Sequence, residues 1–173
     1  MPASIKLGPV ALTAAPAASA PFPVQAEVEE VDTCLVLESD PAVREPRASY
    51  PTLVRDMIAQ EPRTPGDVVV RRGPPLRFLA VVHDLDCRPS WREAWVATAL
   101  ANLLEEFQRR RVDAAALPLL GCVHGHLDPV RFVSLLYGAL RDRGPSPPER
   151  LWLIAPEDDC EWLIGYLRKL EER

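Results

Sequence analysis

The segment 114–143 constrains the fold of this chain more than any other stretch. It begins with the apolar run Ala114–Leu117, continues through a loop that contains Gly121 and Gly125, and ends in a helix opened by an Asp-Pro pair at 128–129. The apolar run predicts a strand buried on both faces. The glycines permit backbone angles that strain other residues, and Asp followed by Pro suits the start of a helix. This series predicts a site where backbone N–H groups bind an anion.

Composition narrows the class of protein. The 173 residues are 47% hydrophobic, enough for one domain with a full core. The net charge of −5 gives no general attraction to nucleic acid or to an anionic membrane. The four cysteines form no Cys-x-x-Cys pair, which argues against a zinc site or a redox dithiol. With no apolar run of membrane-spanning length and no signal-peptide pattern, we expect a cytoplasmic protein of bacterial type.

Strands and helices alternate along most of the chain. Continuous apolar runs predict central strands at Thr33–Leu37, Phe78–Val82 and Leu151–Ala155. This alternation predicts an α/β sandwich around a largely parallel or mixed sheet. The other predicted elements are a strand at 5–12 broken at 8–9, an edge or half-exposed strand at 24–31, a helix at 51–60, a strand at 67–71, and helices at 90–111, after 128 and after 156.

Two local signals refine this outline. Ser90 and Glu93 match a Ser-x-x-Glu capping box at the start of the helix at 90–111. Ligands of parallel sheets bind at the carboxyl ends of the strands. This rule places four strand-exit loops around one cleft, at 38–41, 83–86, 120–127 and 156–159.

Three segments resemble the macro domain, the ADP-ribose-binding α/β/α family. The loop Leu117–Leu127 is similar to the family's Pro-Leu-Leu-Gly-Thr-Gly-x-Gly-Gly-Leu loop, which wraps a diphosphate. Val31–Val36 resembles the family's Val-Asp-Ala-Ile-Val-Asn segment, and Gly66–Val70 with the strand to His83 resembles its hairpin and its apolar strand ending in His. The resemblance covers about 31–172. It implies a three-layer α/β/α macro-domain-like sandwich with a central mixed sheet.

The resemblance also implies a ligand and a site. It suggests that the chain binds ADP-ribose or a related nucleotide phosphate ligand. We also expect no cofactor, no metal, no nucleic-acid partner and no membrane partner, and homo-oligomer formation stays open. The domain would span 24–173, preceded by a strand and an Ala/Pro-rich connector at 1–23, in one globular unit. The residues expected to bind the ligand are Gly121, Cys122, Val123, His124, Gly125, His126 and Asp40.

The chain departs from the family at positions that matter for hydrolysis. Where the family has Asn-Ala-Ala-Asn and a Gly-rich loop, residues 36–41 read Val-Leu-Glu-Ser-Asp-Pro, and no glycine occurs between Gly8 and Gly66. The asparagine that hydrolytic members use to position the ribose is missing there. The adenine-contacting Asp is also missing, because Gly8 is followed by Pro9. We therefore expect no catalytic residues and no ADP-ribosyl hydrolase activity.

Other chemistries stay open at this stage. His83-Asp84, or His124 and His126 together with either of them, could hold a metal, and Cys122 beside a helix start could be a nucleophile with His124 as its base. The simpler interpretations are a strand-end His bonded to backbone, loop histidines that are exposed or donate to phosphate, and a small Cys in place of Thr. Two alternative functions follow: an ADP-ribosyl or phosphate-ester hydrolase using Asp40, His124 or a metal, and a non-catalytic interaction or oligomerisation module with an empty cleft.

Overall fold

A seven-stranded mixed sheet forms the centre of the molecule. The computed structural model describes residues 3–35, 61–141, 146 and 148–172. Five strands run parallel in the order β2-β7-β6-β3-β5, while β1 and β4 pair antiparallel at the two edges. The mixed sheet predicted from the sequence is thus confirmed. The strands are β1 (Ala3–Leu7), β2 (Val10–Ala15), β3 (Ala26–Asp32), β4 (Val68–Arg71), β5 (Leu76–His83), β6 (Ala114–Pro118) and β7 (Arg150–Ile154).

Three described helices pack with the sheet into the main core. They are α1 (Glu93–Arg110), α2 (Pro129–Arg141) and α3 (Glu157–Glu171). Their buried residues form one cluster with inward-facing strand residues, and the rings of Phe78 and Phe107 meet edge to face at 4.9 Å. Across the described residues, no helix combines the length and the apolarity needed to cross a membrane. The helix predicted at 51–60 lies outside the described residues.

The N-terminal segment contributes an antiparallel hairpin to this sheet. The predicted strand at 5–12 is two strands, β1 and β2, joined at Gly8-Pro9. Gly8 has a φ of +56°, which favours glycine at this turn. β2 continues to Ala15, because alternate residues Val10, Leu12 and Ala14 can be buried while it pairs in parallel with β7.

The strand predicted at Thr33–Leu37 is wrong, whereas the edge or half-exposed strand predicted at 24–31 is present as β3 but does not lie at an edge. β3 ends at Asp32, the chain turns at 33–35, and the rest of that prediction lies outside the described residues. β3 lies inside the sheet, between β6 and β5. Its acidic residues are accommodated by partners: Glu29 forms an ion pair with Arg77 of β5, and Glu30 is fully buried. Alternating carboxylates therefore do not mark a sheet edge here.

The capping box predicted at the start of α1 is also wrong. The helix begins at Glu93, and its N-cap residue Arg92 makes no side-chain capping hydrogen bond. The preceding residues follow the sheet instead: the carbonyl of Ser90 accepts the N–H of Asp84 at 2.7 Å, and Trp91 bridges His83. Pairing with the end of β5 thus delays the helix by three residues.

Candidate anion-binding site

The loop at 119–128 connects the buried strand β6 to α2 at the carboxyl edge of the sheet. Asp128 Oδ1 accepts the backbone N–H of Val130 at 2.7 Å, and Pro129 is the first helical residue. Both sequence predictions for this helix start are confirmed. The loop is therefore fixed at both ends, by a buried strand on one side and a capped helix on the other.

Two glycines allow the loop to fold closely upon itself. Gly121 has a φ of +78°, and a Cβ there would lie 3.1 Å from Val96 Cγ2. A Cβ on Gly125 would lie 2.4 Å from the Gly121 carbonyl oxygen and 2.9 Å from the ring of Trp91. The same carbonyl oxygen accepts the N–H of Leu127 at 3.1 Å. Both positions thus require glycine, one for backbone angle and one for space.

Five backbone N–H groups of the loop fall into two sets. The Gly121 N–H donates to Glu30 Oε2 at 2.8 Å, and the Cys122 N–H donates to the carbonyl of Leu119 at 3.0 Å. The second set consists of the N–H groups of Val123, Gly125 and His126. In the described part of the chain, no acceptor is found for these three groups.

A buried carboxylate–imidazole pair lies beneath the loop. Glu30 on β3 and His83 at the end of β5 are both 0% exposed, and Glu30 Oε1 meets His83 Nε2. The backbone partner predicted for His83 is thus wrong, since its partner is a carboxylate. The sequence contained a signal for Glu30: it shares the inward face of β3 with Ala26 and Val28, where an unpaired carboxylate is costly.

The two loop histidines occupy different environments. His124 is half-buried, with its ring centroid 6.1 Å from that of His83 and the rings nearly perpendicular, whereas His126 is exposed. Within residues 3–35, 61–141, 146 and 148–172, no group of three or more His, Cys, Asp or Glu residues is placed to hold a metal ion. Asp84 accepts hydrogen bonds from the N–H of Asp86 and the thiol of Cys87. Its carboxylate therefore stabilises the local turn at 84–87.

The thiol of Cys122 is in an environment that suppresses ionisation. Burial, followed by the nearby carboxylates of Glu30 and Asp128, raises the pKa of Cys122 to about 12. A thiol must ionise to act as a nucleophile. The structure therefore supports the interpretation of Cys122 as a small neutral residue in the loop.

The structure brings together two of the four predicted strand-exit loops. His83, at the end of β5, and Gly121, in the loop after β6, both contact Glu30 of β3, a residue that the sequence analysis did not select. The predicted exit loop at 156–159 opens α3 after β7, which is parallel to β6 and so ends at the same edge. The exit loop at 38–41, which includes Asp40, lies outside the described residues.

These features define a class: an α/β sandwich that carries a glycine loop with available amides at the carboxyl edge of a mixed sheet.

Neither protein-family models nor curated proteins match the chain. Solved structures do match. An Oceanobacillus iheyensis macrodomain with ADP has 14% identity and a TM-score of 0.73, covering 99% of this chain and 97% of that one.

Two further structures come from other organisms. The macrodomain of Thermus aquaticus DarG has 25% identity and a TM-score of 0.61, covering 84% of this chain and 98% of that one. A Trypanosoma brucei macrodomain in complex with ADP has 14% identity and a TM-score of 0.64, covering 90% of this chain and 68% of that one. The chain therefore has a macro-domain-like α/β/α fold, as the resemblance in the sequence implied.

Proposed function

We propose that this protein binds ADP-ribose, or a related nucleotide phosphate ligand, at the loop 121–126 and does not hydrolyse it. The observation that carries the proposal is the set of three amide donors on Val123, Gly125 and His126, next to the start of α2. Such donors beside a helix N-terminus favour a phosphate group. The Oceanobacillus iheyensis and Trypanosoma brucei macrodomains that share this fold were solved with ADP.

The loop alone accounts for weak binding only. Three hydrogen bonds to a charged phosphate contribute roughly 4.5–9 kcal/mol in total, and the helix dipole adds about 0.3–2 kcal/mol. Association costs roughly 4–15 kcal/mol. Glu30 and Asp128 add negative charge close to the loop, since both raise the pKa of Cys122. Contacts to the nucleoside must therefore supply most of the net affinity for ADP-ribose.

The absence of hydrolysis is supported by the residues themselves. The only asparagine in the sequence is Asn102, and it lies on α1, where its side chain donates to the carbonyl of Gly66 at 2.8 Å. It is therefore engaged away from the loop and is not the ribose-positioning asparagine that the resemblance associates with hydrolytic members. The Cys122 thiol, with its pKa raised to about 12, is not available as a nucleophile near neutral pH.

Calorimetric titration tests the binding proposal. ADP-ribose should bind the wild-type protein and the Gly138→Ala control, which changes α2 at a site with nothing within 4 Å of the new Cβ. Inorganic phosphate should compete only weakly, because it lacks the nucleoside. The proposal is rejected if ADP-ribose produces no heat at millimolar concentration. A dissociation constant of about 1 mM corresponds to a binding free energy of about 4 kcal/mol.

A hydrolysis assay tests the enzymatic alternative. Incubation with a mono-ADP-ribosylated protein should release no more ADP-ribose than buffer does. If release is found, the variants His124→Ala and Asp40→Ala should be measured, because turnover that survives both removes the mechanism considered for those residues.

One observation favours the alternative of an interaction module. Leu85 and Val123, on two loops that follow strands β5 and β6, are 56% and 49% exposed. Large exposed apolar side chains near one edge suit a protein contact. Sedimentation measurements test the interaction module, which predicts self-association that ADP-ribose does not affect. The binding proposal instead predicts that ADP-ribose stabilises the folded protein.

A further inference from the structure

We infer that Glu30 is a positioning residue for the anion loop: its buried carboxylate holds Gly121 in place, and His83 holds the carboxylate. This inference rests on the proposed function and deepens it, by naming the residues that keep the ligand loop in its binding shape. Glu30 bridges two partners, accepting the Gly121 N–H at Oε2 at 2.8 Å and contacting His83 Nε2 through Oε1.

The hydrogen-bonding pattern determines which atoms carry protons. His83 Nδ1 has no partner among the described residues, and the ring is 0% exposed. An unpaired buried N–H is rarer in proteins than an under-used acceptor. We therefore assign the His83 proton to Nε2, which donates to Glu30, so that the Glu30 carboxylate accepts from both His83 and Gly121.

The position of this pair explains why it controls the loop. Glu30 lies on β3 and His83 on β5, two strands paired in parallel, so the carboxylate is anchored to the rigid sheet. Gly121 is the residue whose carbonyl oxygen accepts the Leu127 N–H and lies against Gly125. Holding Gly121 thus fixes the point around which the three ligand-facing amides are arranged.

The bond to Glu30 also determines which amides the ligand can use. Because the Gly121 N–H is already paired with a carboxylate, a bound phosphate must use the donors on Val123, Gly125 and His126. The Glu30 carboxylate thus accepts the Gly121 N–H in the way that a bound anion would. Without it, Gly121 has no buried acceptor and the loop loses its anchor to β3.

Three variants test the inference. Glu30→Met with His83→Leu replaces both hydrogen-bonding partners by apolar residues, a change that can be nearly neutral for folding. Glu30→Gln keeps an acceptor for Gly121. The matched control, Glu29→Met with Arg77→Leu, removes a carboxylate–cation pair between the same two strands but leaves Glu30 in place.

Two measurements are made on each folded protein: amide hydrogen exchange at Gly121 and the dissociation constant for ADP-ribose. In the Met/Leu variant at 30 and 83, exchange at Gly121 should accelerate and the dissociation constant should rise, each by about 10- to 100-fold, as expected for a lost charge-assisted hydrogen bond. Glu30→Gln should restore both to within about 3-fold of wild type, and the control pair should change neither.

The outcomes separate this inference from the proposed function. Unchanged Gly121 exchange in the Met/Leu variant at 30 and 83 overturns the inference, and so does an unchanged dissociation constant. If wild type shows protected Gly121 but no binding of ADP-ribose, the proposed function fails, while a faster Gly121 exchange in that variant still supports the anchoring role of Glu30. Failure of Glu30→Gln to rescue either quantity contradicts the role assigned to the acceptor.

Discussion

The substitution Gly125→Ala tests the geometry of the loop directly. A Cβ at this position would lie 2.4 Å from the carbonyl oxygen of Gly121 and 2.9 Å from two ring atoms of Trp91. Both neighbours resist displacement, since one is backbone and the other is an indole ring packed against the core. Relief requires the loop to move away from Gly121, which also strains the bond from the Leu127 N–H.

The expected loss of stability follows from these contacts. Overpacking in a well-packed region costs about 1–3 kcal/mol, and a weakened hydrogen bond from Leu127 to Gly121 adds about 0.5–1.5 kcal/mol. The total is about 1.5–4.5 kcal/mol. For a chain of this size each kcal/mol lowers Tm by about 2–4 °C, so we expect a fall of about 3–18 °C.

Thermal unfolding followed by circular dichroism measures the effect. The matched control is Gly138→Ala in α2, where no atom lies within 4 Å of the new Cβ and helix propensity favours alanine by about 0.5–1 kcal/mol. The control should melt slightly higher than wild type and retain ADP-ribose binding. A Gly125→Ala protein that melts within about 1 °C of wild type would show that the loop is not packed as described.

Three further predictions concern the surroundings of the loop. Asp128→Ala should destabilise the protein by about 0.5–2 kcal/mol in urea titration, because it removes the cap on Val130, and an effect below this range contradicts the capping role. Cys122 should react with iodoacetamide at pH 8 about three orders of magnitude more slowly than a free thiol, given its pKa of about 12, and rapid labelling of the folded protein would contradict the burial found here. The exposed pair Glu93–Arg131 should couple by about 0.2–1 kcal/mol in a double-mutant cycle, and a coupling that does not weaken with added salt contradicts surface exposure.

Local patterns predicted much of the fold because they depend on neighbouring residues. The helix start at 128–129 follows from the chemistry of Asp and Pro alone, and the structure has the cap and the first helical residue where expected. The buried strand β6 follows from an uninterrupted apolar run. The order of strands and helices then limits the architecture to an α/β sandwich.

The errors arise where distant residues decide the outcome. β3 was assigned to an edge or half-exposed position because Glu27 and Glu29 alternate with apolar residues, yet the strand lies inside the sheet and Arg77 on β5 pairs with Glu29. The start of α1 was misplaced because Trp91 pairs with the end of β5. Such pairings join residues some fifty positions apart for β3 and β5, as with Glu30 and His83. No short sequence window contains that information.

The candidate site was predicted in outline but not in its internal connections. The glycines at 121 and 125 indicated a tight loop, and both prove necessary for its geometry. The role of Glu30 was missed, although its inward-facing position on β3 was readable from the alternation. Two acceptors decide which amides remain available: Glu30 accepts the Gly121 N–H, and the carbonyl of Leu119 accepts the Cys122 N–H. Neither bond could be predicted from the positions of the glycines.

The most direct test of ligand binding is a titration of the ¹⁵N-labelled protein with ADP-ribose, followed amide by amide. The account predicts the largest shifts at the amides of Val123, Gly125 and His126, whose N–H groups find no acceptor in the described structure. The Gly121 amide, already bonded to Glu30, should shift less. Shifts confined to other parts of the molecule, or none at saturating ligand, would contradict the claim that this loop binds a phosphate.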